Sequence, residues 1–189
     1  MMLGRQDLLT LWKRKKIRFQ PDISPDQISL SSIDLRLGFR FTTQKVQKAV
    51  IIRPAHDSDP SYLTDTRDFT GEHDPVFRLG PKEFKLGQTL ERITVPANLA
   101  AHVNGKSSLA RAGLSIHATA PHINPGFDAP ITLELFNHGE WELEFIPGVD
   151  LVCQVAFWQI KTPVADVAIS KLSSYQGQTV PFPAKKKAV

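Results

Sequence analysis

The chain has 189 residues, 41% hydrophobic and 22% charged, with 23 Lys and Arg against 19 Asp and Glu for a net charge of +4. That composition excludes a disordered chain, and the length is that of one ordinary domain able to bury its own core. No apolar run reaches the roughly 20 residues that span a bilayer, so no membrane partner is expected.

In chain order, Asp7 is expected to cap a short amphipathic helix running to about Lys15, with Leu8, Leu11 and Trp12 as its apolar side. Pro21 and Pro25 end it. The basic run Lys13-Arg-Lys-Lys16 reads as a solvated helix face and Lys185-Lys-Lys187 as a frayed tail. Neither run interleaves aromatic residues, so no nucleic-acid partner is expected. Strands are expected near residues 31–37 and 40–43. Residues 53–75, polar and acidic with Pro54, Pro60 and Gly71, read as a long surface loop.

From Val76 onward short strands alternate with Gly, Pro and Asn turns, which signals an all-β sandwich or barrel. Trp141-Glu-Leu-Glu144 reads as an exposed edge face. Cys153, the single cysteine, lies in the apolar run 151–158 and reads as a small buried side chain. One cysteine makes no intrachain disulfide, and Met1-Met-Leu-Gly-Arg lacks the basic-then-apolar order of a signal peptide; both point to the cytoplasm. Residues 162–189, rich in Ser, Gln, Pro and Lys, read as a flexible lid or tail that orders on binding, set apart from a β domain of residues 1–161.

Residues 105–137 concentrate the chemistry. Gly105 frees the backbone to turn, Lys106 and Arg111 supply positive charge, and Ser107 and Ser108 supply hydroxyls. Gly113 ends a short helix over 108–112. Amides at a helix start beside two cations suit phosphate oxygens, although a basic turn between strands would read the same way. It is no P-loop, because the motif's earlier glycine is absent and no βαβ pattern surrounds it. Asn124-Pro-Gly-Phe127 then makes a tight turn.

In the following strand, period two puts Ile131, Leu133 and Leu135 on one face and Thr132, Glu134 and Phe136 on the other. Glu134 there is either a cross-strand ion-pair partner or a general base whose pKa is lifted by partial burial. Six histidines stand at 56, 73, 102, 117, 122 and 138 with no His-x3-His spacing, and no Pro-Cys-x-x-Cys accompanies them, so no zinc deaminase site is expected. His56, His73 and His138 read as exposed loop residues, His117 as a packed histidine on a strand, and His122 as a neighbour of Asn124.

Gly105-Lys-Ser-Ser-Leu-Ala-Arg111, His117-Ala-Thr-Ala120, Asn124-Pro-Gly-Phe127, Ile131-Thr-Leu-Glu-Leu135 and Tyr175-Gln-Gly-Gln178 together resemble the deoxycytidine triphosphate deaminases of the dUTPase superfamily. Ser32-Ile-Asp-Leu-Arg-Leu-Gly38, the stretch from Thr89-Leu-Glu91 to Val95-Pro96, and Pro147-Gly148 with Gln154 add to the likeness, which runs in order over about residues 5–178. The resemblance implies a dUTPase-like distorted β-barrel or jelly roll, mainly β with a few short helices. It also implies a homotrimer with active sites shared between subunits. Members deaminate dCTP to dUTP without zinc, with Mg2+ carried on the triphosphate, and some continue to dUMP.

Carried over by position, Glu134 is the general base and proton shuttle, with Ser107 placing the water and Arg111 pairing with the carboxylate. Lys106, Ser107, Ser108, Leu109, Ala110 and Arg111 form the nucleotide-binding turn. The Ala120 carbonyl lies near the cytosine amino group, Asn124 at the sugar, Phe127 beside it, and Thr132 and Leu133 at the base. Ser174, Tyr175 and Gln178 belong to the segment that closes over the nucleotide.

Three positions depart from the family pattern: Asn124 replaces an aspartate, Ser174 replaces a lysine for which Lys171 is the nearest substitute, and residues 164–173 lack the upstream tyrosine. Two further readings therefore stand beside the deaminase. One is a dUTP diphosphatase, alone or in sequence with deamination. Asn124 cannot take a proton as that enzyme's aspartate does, and Phe182, between Pro181 and Pro183, substitutes poorly for its stacking phenylalanine. The other is a non-catalytic nucleotide-binding paralogue, against which Glu134 and the intact glycine turn both count.

Overall fold

Residues 1–45, 63–73, 75–164, 177 and 179–181 are described in a computed structural model of the protein. Helix α1 (Arg5–Lys13) leads into β1 (Arg18–Gln20), a 3-10 turn (Pro25–Gln27), β2 (Ile33–Arg36), β3 (Arg40–Gln44) and β4 (Thr64–Asp68). Then come β5 (Phe77–Leu79), β6 (Phe84–Thr94), β7 (Leu99–Gly105), helix α2 (Ser107–Arg111) and β8 (Leu114–Ser115). The chain continues through β9 (His122–Ile123), β10 (Asp128–Asn137), β11 (Leu143–Phe145) and β12 (Leu151–Gln159). A six-stranded sheet runs β4-β3-β6-β10-β8, with β1 also on β6; β2-β12-β7-β9 form a second sheet and β11-β5 a third. The expected mainly-β architecture with short helices is the one observed.

Alternation along the long strands builds the core. On β10, Ile131, Leu133 and Leu135 are buried while Thr132, Glu134 and Phe136 are half-exposed, as period two requires. Across the sheet, Phe41 and Leu135 converge on Gly87, where an added Cβ would meet Leu135 Cδ1 at 2.9 Å, so these three face inward. Phe41 stacks on Phe77 with ring centroids 3.8 Å apart. Each such buried side chain contributes about 1.5–3 kcal/mol. Glu91 is buried completely, yet it accepts from Arg36 Nε at 2.7 Å, the Arg36 amide at 3.0 Å and Gln27 Nε2 at 3.3 Å. A buried carboxylate persists only when paired in this way, and the pairing ties β2 to β6.

Several local expectations need correction. Asp7 is not the N-cap residue of α1. Leu3 donates to the Phe157 carbonyl at 2.9 Å and Arg5 to the Leu30 carbonyl at 2.7 Å, which sets the helix off at Gly4. Asp7 instead accepts the Gly4 amide at 3.1 Å from the first turn. The helix stops at Lys13 because Lys15 takes φ 54°, with its ammonium 2.6 Å from Asp22. Within the expected loop 53–75, residues 64–68 form strand β4, since Thr66 and Asp68 find partners in Thr42 (2.9 Å) and Arg40 (2.7 Å) across β3. The Trp141–Glu144 stretch is an exposed face as expected, with Glu144 2.9 Å from Arg78 across the β11-β5 pair.

Most of the expected lid, and the basic run Lys185-Lys-Lys187, lie outside the described residues. The described part of the C-terminal segment docks on β3. Thr42 Oγ1 donates to the Pro181 carbonyl at 2.8 Å and Arg40 Nη1 to the Thr179 carbonyl at 3.0 Å. No described helix is long and apolar enough to cross a membrane.

Candidate active site

Strand β7 ends at Gly105, and the chain turns at once into α2, with Lys106 as its extended N-cap residue. Gly113 closes the helix at φ 101°, where a Cβ would meet the Gly139 amide at 2.7 Å, so only glycine fits. The turn is fastened from behind. Gln154 Nε2 donates to the Gly105 carbonyl at 3.0 Å, and Ser32 Oγ donates to Gln154 Oε1 at 2.8 Å. Lys106 Nζ is paired with Asp34 Oδ2 on β2. Ser107, Ser108, Ala110 and Arg111 are exposed and Leu109 packs partly against the core. Among the described residues, the Ser107 and Ser108 hydroxyls and the Arg111 guanidinium have no partner. The two cations of the turn thus differ: Lys106 is engaged, and Arg111 has no partner among the described residues.

Glu134 sits half-buried on the outward face of β10. Its Oε2 accepts the Ala118 amide at 2.6 Å, and its own amide donates to the Ile116 carbonyl at 2.9 Å. A carboxylate accepting a backbone N–H is held in one orientation. Among the described residues it has no ion-pair partner, so it is not the cross-strand salt-bridge residue that its position allowed. Nor does Arg111 pair with it; the expected contact is not made in this chain. Because the Ala118 amide turns toward Glu134, the chain leaves β8 after Ser115, and His117 is not on a strand as expected. His117 is half-buried, with Nδ1 enclosed and without a partner among the described residues.

The Asn124–Phe127 turn is closed by the Phe127 amide on the Asn124 carbonyl at 3.2 Å, with Gly126 at φ 75°. The Asn124 side chain is exposed, and Phe127 packs partly into the core. The next residue, Asp128, receives Arg92 through two bonds of 2.9 Å and Thr94 Oγ1 at 2.9 Å, which hold its carboxyl below the usual range, Arg92 above all. Ala120 is exposed and Thr132 faces outward opposite Gln88. Leu133 is fully buried on the inner face, so it can border a ligand only through its backbone. Ser174, Tyr175, Gln178, Lys171 and Phe182 lie outside the described residues.

Sequence reading missed two arrangements. His102 Nε2 and His122 Nδ1 meet at 3.1 Å across β7 and β9, with the His102 ring 4.7 Å from that of Trp158. Asp34, 72 residues from Lys106, carries no local signal of that pairing; only the alternation around it marks an outward carboxylate. Among the described residues, no group of three or more His, Cys, Asp or Glu is placed to hold a metal. Cys153 is buried as expected, and burial pushes its thiol far up.

A family model described as dCTP deaminase-like matches residues 2–160. A Dictyoglomus turgidum protein named dCTP deaminase, dUMP-forming, is 36% identical over 187 residues, covering 98% of this chain and 94% of its own. The dCTP deaminase of Haloarcula marismortui is 36% identical over 188 residues, with the same coverage of 98% and 94%. The solved 2′-deoxycytidine 5′-triphosphate deaminase of Agrobacterium tumefaciens superposes with a TM-score of 0.63 at 20% identity. That superposition covers 94% of this chain and 53% of the longer Agrobacterium chain, a likeness of fold.

Proposed function

Because this chain belongs to the dCTP deaminase-like family, we propose that it hydrolyses the 4-amino group of dCTP, giving dUTP and ammonia without zinc. The observation that carries this reading is Glu134, an outward, half-buried carboxylate with no cation on it among the described residues, oriented by the Ala118 amide. Glu134 takes a proton from water as the water oxygen adds to C4 of cytosine, and delivers that proton to N3. The remaining hydroxyl proton then passes through Glu134 to the amino nitrogen, which leaves as ammonia while the C4 carbonyl forms. Such general acid–base transfer contributes about 10²–10⁴-fold. Holding water and base in line supplies a further part.

Ser107 places the water, and Ser108 and Arg111, exposed and without partners among the described residues, receive the phosphates. Asn124 and Phe127 border the sugar, and the Ala120 carbonyl with the Thr132–Leu133 backbone borders the base. Ser174, Tyr175 and Gln178 complete the nucleotide contacts from the C-terminal segment. The triphosphate itself would hold Mg2+, which would neutralise phosphate charge there. The zinc-independent reading rests on the donor set, since one buried cysteine and no Pro-Cys-x-x-Cys leave no thiolate ligands for zinc.

Likeness to the family supports a homotrimer in which a neighbour completes the site. Light scattering should then return three times 21.1 kDa. A second reading, continued hydrolysis to dUMP, is favoured by the name of the Dictyoglomus relative. Asn124 speaks against it, as an amide cannot activate water. Ammonia release from dCTP, lowered about 10²–10⁴-fold by Glu134→Gln, tests the main reading.

A further inference from the structure

We propose that Asp34 is a positioning residue of this site, acting through Lys106 to hold the turn that carries Ser107. The inference rests on the deaminase reading and adds a residue to it. Asp34, Gln154 and Asn104 stand in one row across β2, β12 and β7, because Gln154 is the register partner of both others. Partners in a row share a face of the sheet. Ser32, two residues before Asp34, reaches the same face and binds Gln154. The Gly105–Lys106 junction is therefore tied to β2 on both sides. Its carbonyl side is held through Gln154 and Ser32, and its lysine is held by the Asp34 carboxylate.

The Asp34 carboxylate is itself fixed. Ile33 and Leu35 on either side are completely buried, so the outward residue between them cannot drift. Side-chain exposures of 17% for Asp34 and 25% for Lys106 place the pair between a surface and a buried contact. A lysine left alone is a mobile, hydrated cation on a four-carbon stem; paired on a rigid strand, it becomes a strut. Ser107 follows Lys106 directly and starts α2, so the strut sets where that hydroxyl lies. Phosphate attraction then falls to Arg111, the cation without a partner among the described residues.

The test is a cycle of Asp34→Asn, Lys106→Met and the double variant, with Asp34→Glu as the conservative control. Asp34→Asn should lower kcat for dCTP about tenfold or more while KM moves less, since displacement of about 1 Å can cost 10²-fold. In the Lys106→Met background, the same change should lower kcat by under about twofold, because the two act as one unit. Asp34→Glu, which keeps the charge, should recover part of the loss. Thermal midpoints of all variants separate this from simple destabilisation.

Losses that multiply in the double variant overturn the proposal. So does an Asp34→Asn protein with unchanged kcat and lowered KM, the result expected if Asp34 merely restrains a phosphate-binding lysine. A wild-type protein that releases no ammonia sinks the deaminase reading instead. Lysine side-chain NMR then still decides the pairing. The ammonium signal assigned by its loss in Lys106→Met must also vanish in Asp34→Asn if the strut exists, and its persistence there overturns it. Should Asp34→Asn fail to fold, the same comparison is made with Asp34→Glu, whose longer side chain must shift that signal.

Discussion

Thr42 and Glu134 point to the same side of the six-stranded sheet, because each is a register partner of Leu86. Two inter-strand steps of about 4.8 Å separate β3 from β10. Thr42 is only 2% exposed, and its hydroxyl holds the Pro181 carbonyl at 2.8 Å. Residues 179–181 thus dock on the same sheet face that presents the carboxylate. Thr42→Val keeps the shape and removes the donor. A lost hydrogen bond of about 1 kcal/mol should speed amide exchange in a peptide containing Val180 by roughly fivefold. Unchanged exchange there would show that the docking does not depend on Thr42.

Glu134→Gln preserves the acceptor for the Ala118 amide, now through the side-chain oxygen, but removes the proton acceptor. Deamination should fall by about 10²–10⁴-fold, with dCTP still bound in a calorimetric titration. Turnover at the wild-type rate would show that another group is the base.

What the sequence revealed, and what it hid, follows from the range of each interaction. Glu134 and its face were legible because strand alternation is local, and the buried Ile131, Leu133 and Leu135 bear it out. The helix stop at Gly113 was legible for the same reason. Strand β4 was hidden because its residues are mostly polar and exposed, and their partners on β3 stand far back along the chain. The Asp34–Lys106 and His102–His122 contacts join residues that only the sheet register brings together. The early start of α1 depends on a bond from Leu3 to Phe157, at the opposite end of the domain.

Asn124 lies exposed on its turn, with no side-chain partner among the described residues, so Asn124→Asp should fold as the parent does. Deamination should change little, while dUTP hydrolysis should appear or rise, since the new carboxylate can activate water. Product chromatography with dUTP as substrate reads the difference. No gain in dUMP would show that Asn124 is not what limits that step.

Hydrogen bonds from Thr70 and then Arg40 pull the Asp68 carboxyl down to about 2 from its ordinary 3.8. A depressed carboxyl stabilises the folded state above its ordinary pKa, and that contribution is lost as pH falls from about 4 toward 2. The group is largely exposed, so the effect on stability is small. Carboxyl NMR should place the Asp68 midpoint near 2 in the parent, and nearer the ordinary value in Arg40→Gln. A parent midpoint at the ordinary value would contradict the pairing.

Incubating the purified protein with dCTP and Mg2+, measuring ammonia and separating the nucleotides decides whether it is a deaminase. Ammonia and dUTP should appear in equal amounts, at a rate unchanged by a zinc chelator, with dUMP absent. Briskly formed dUMP would replace this reading with the two-step one, and the absence of ammonia under conditions where dCTP binds would contradict a deaminase altogether.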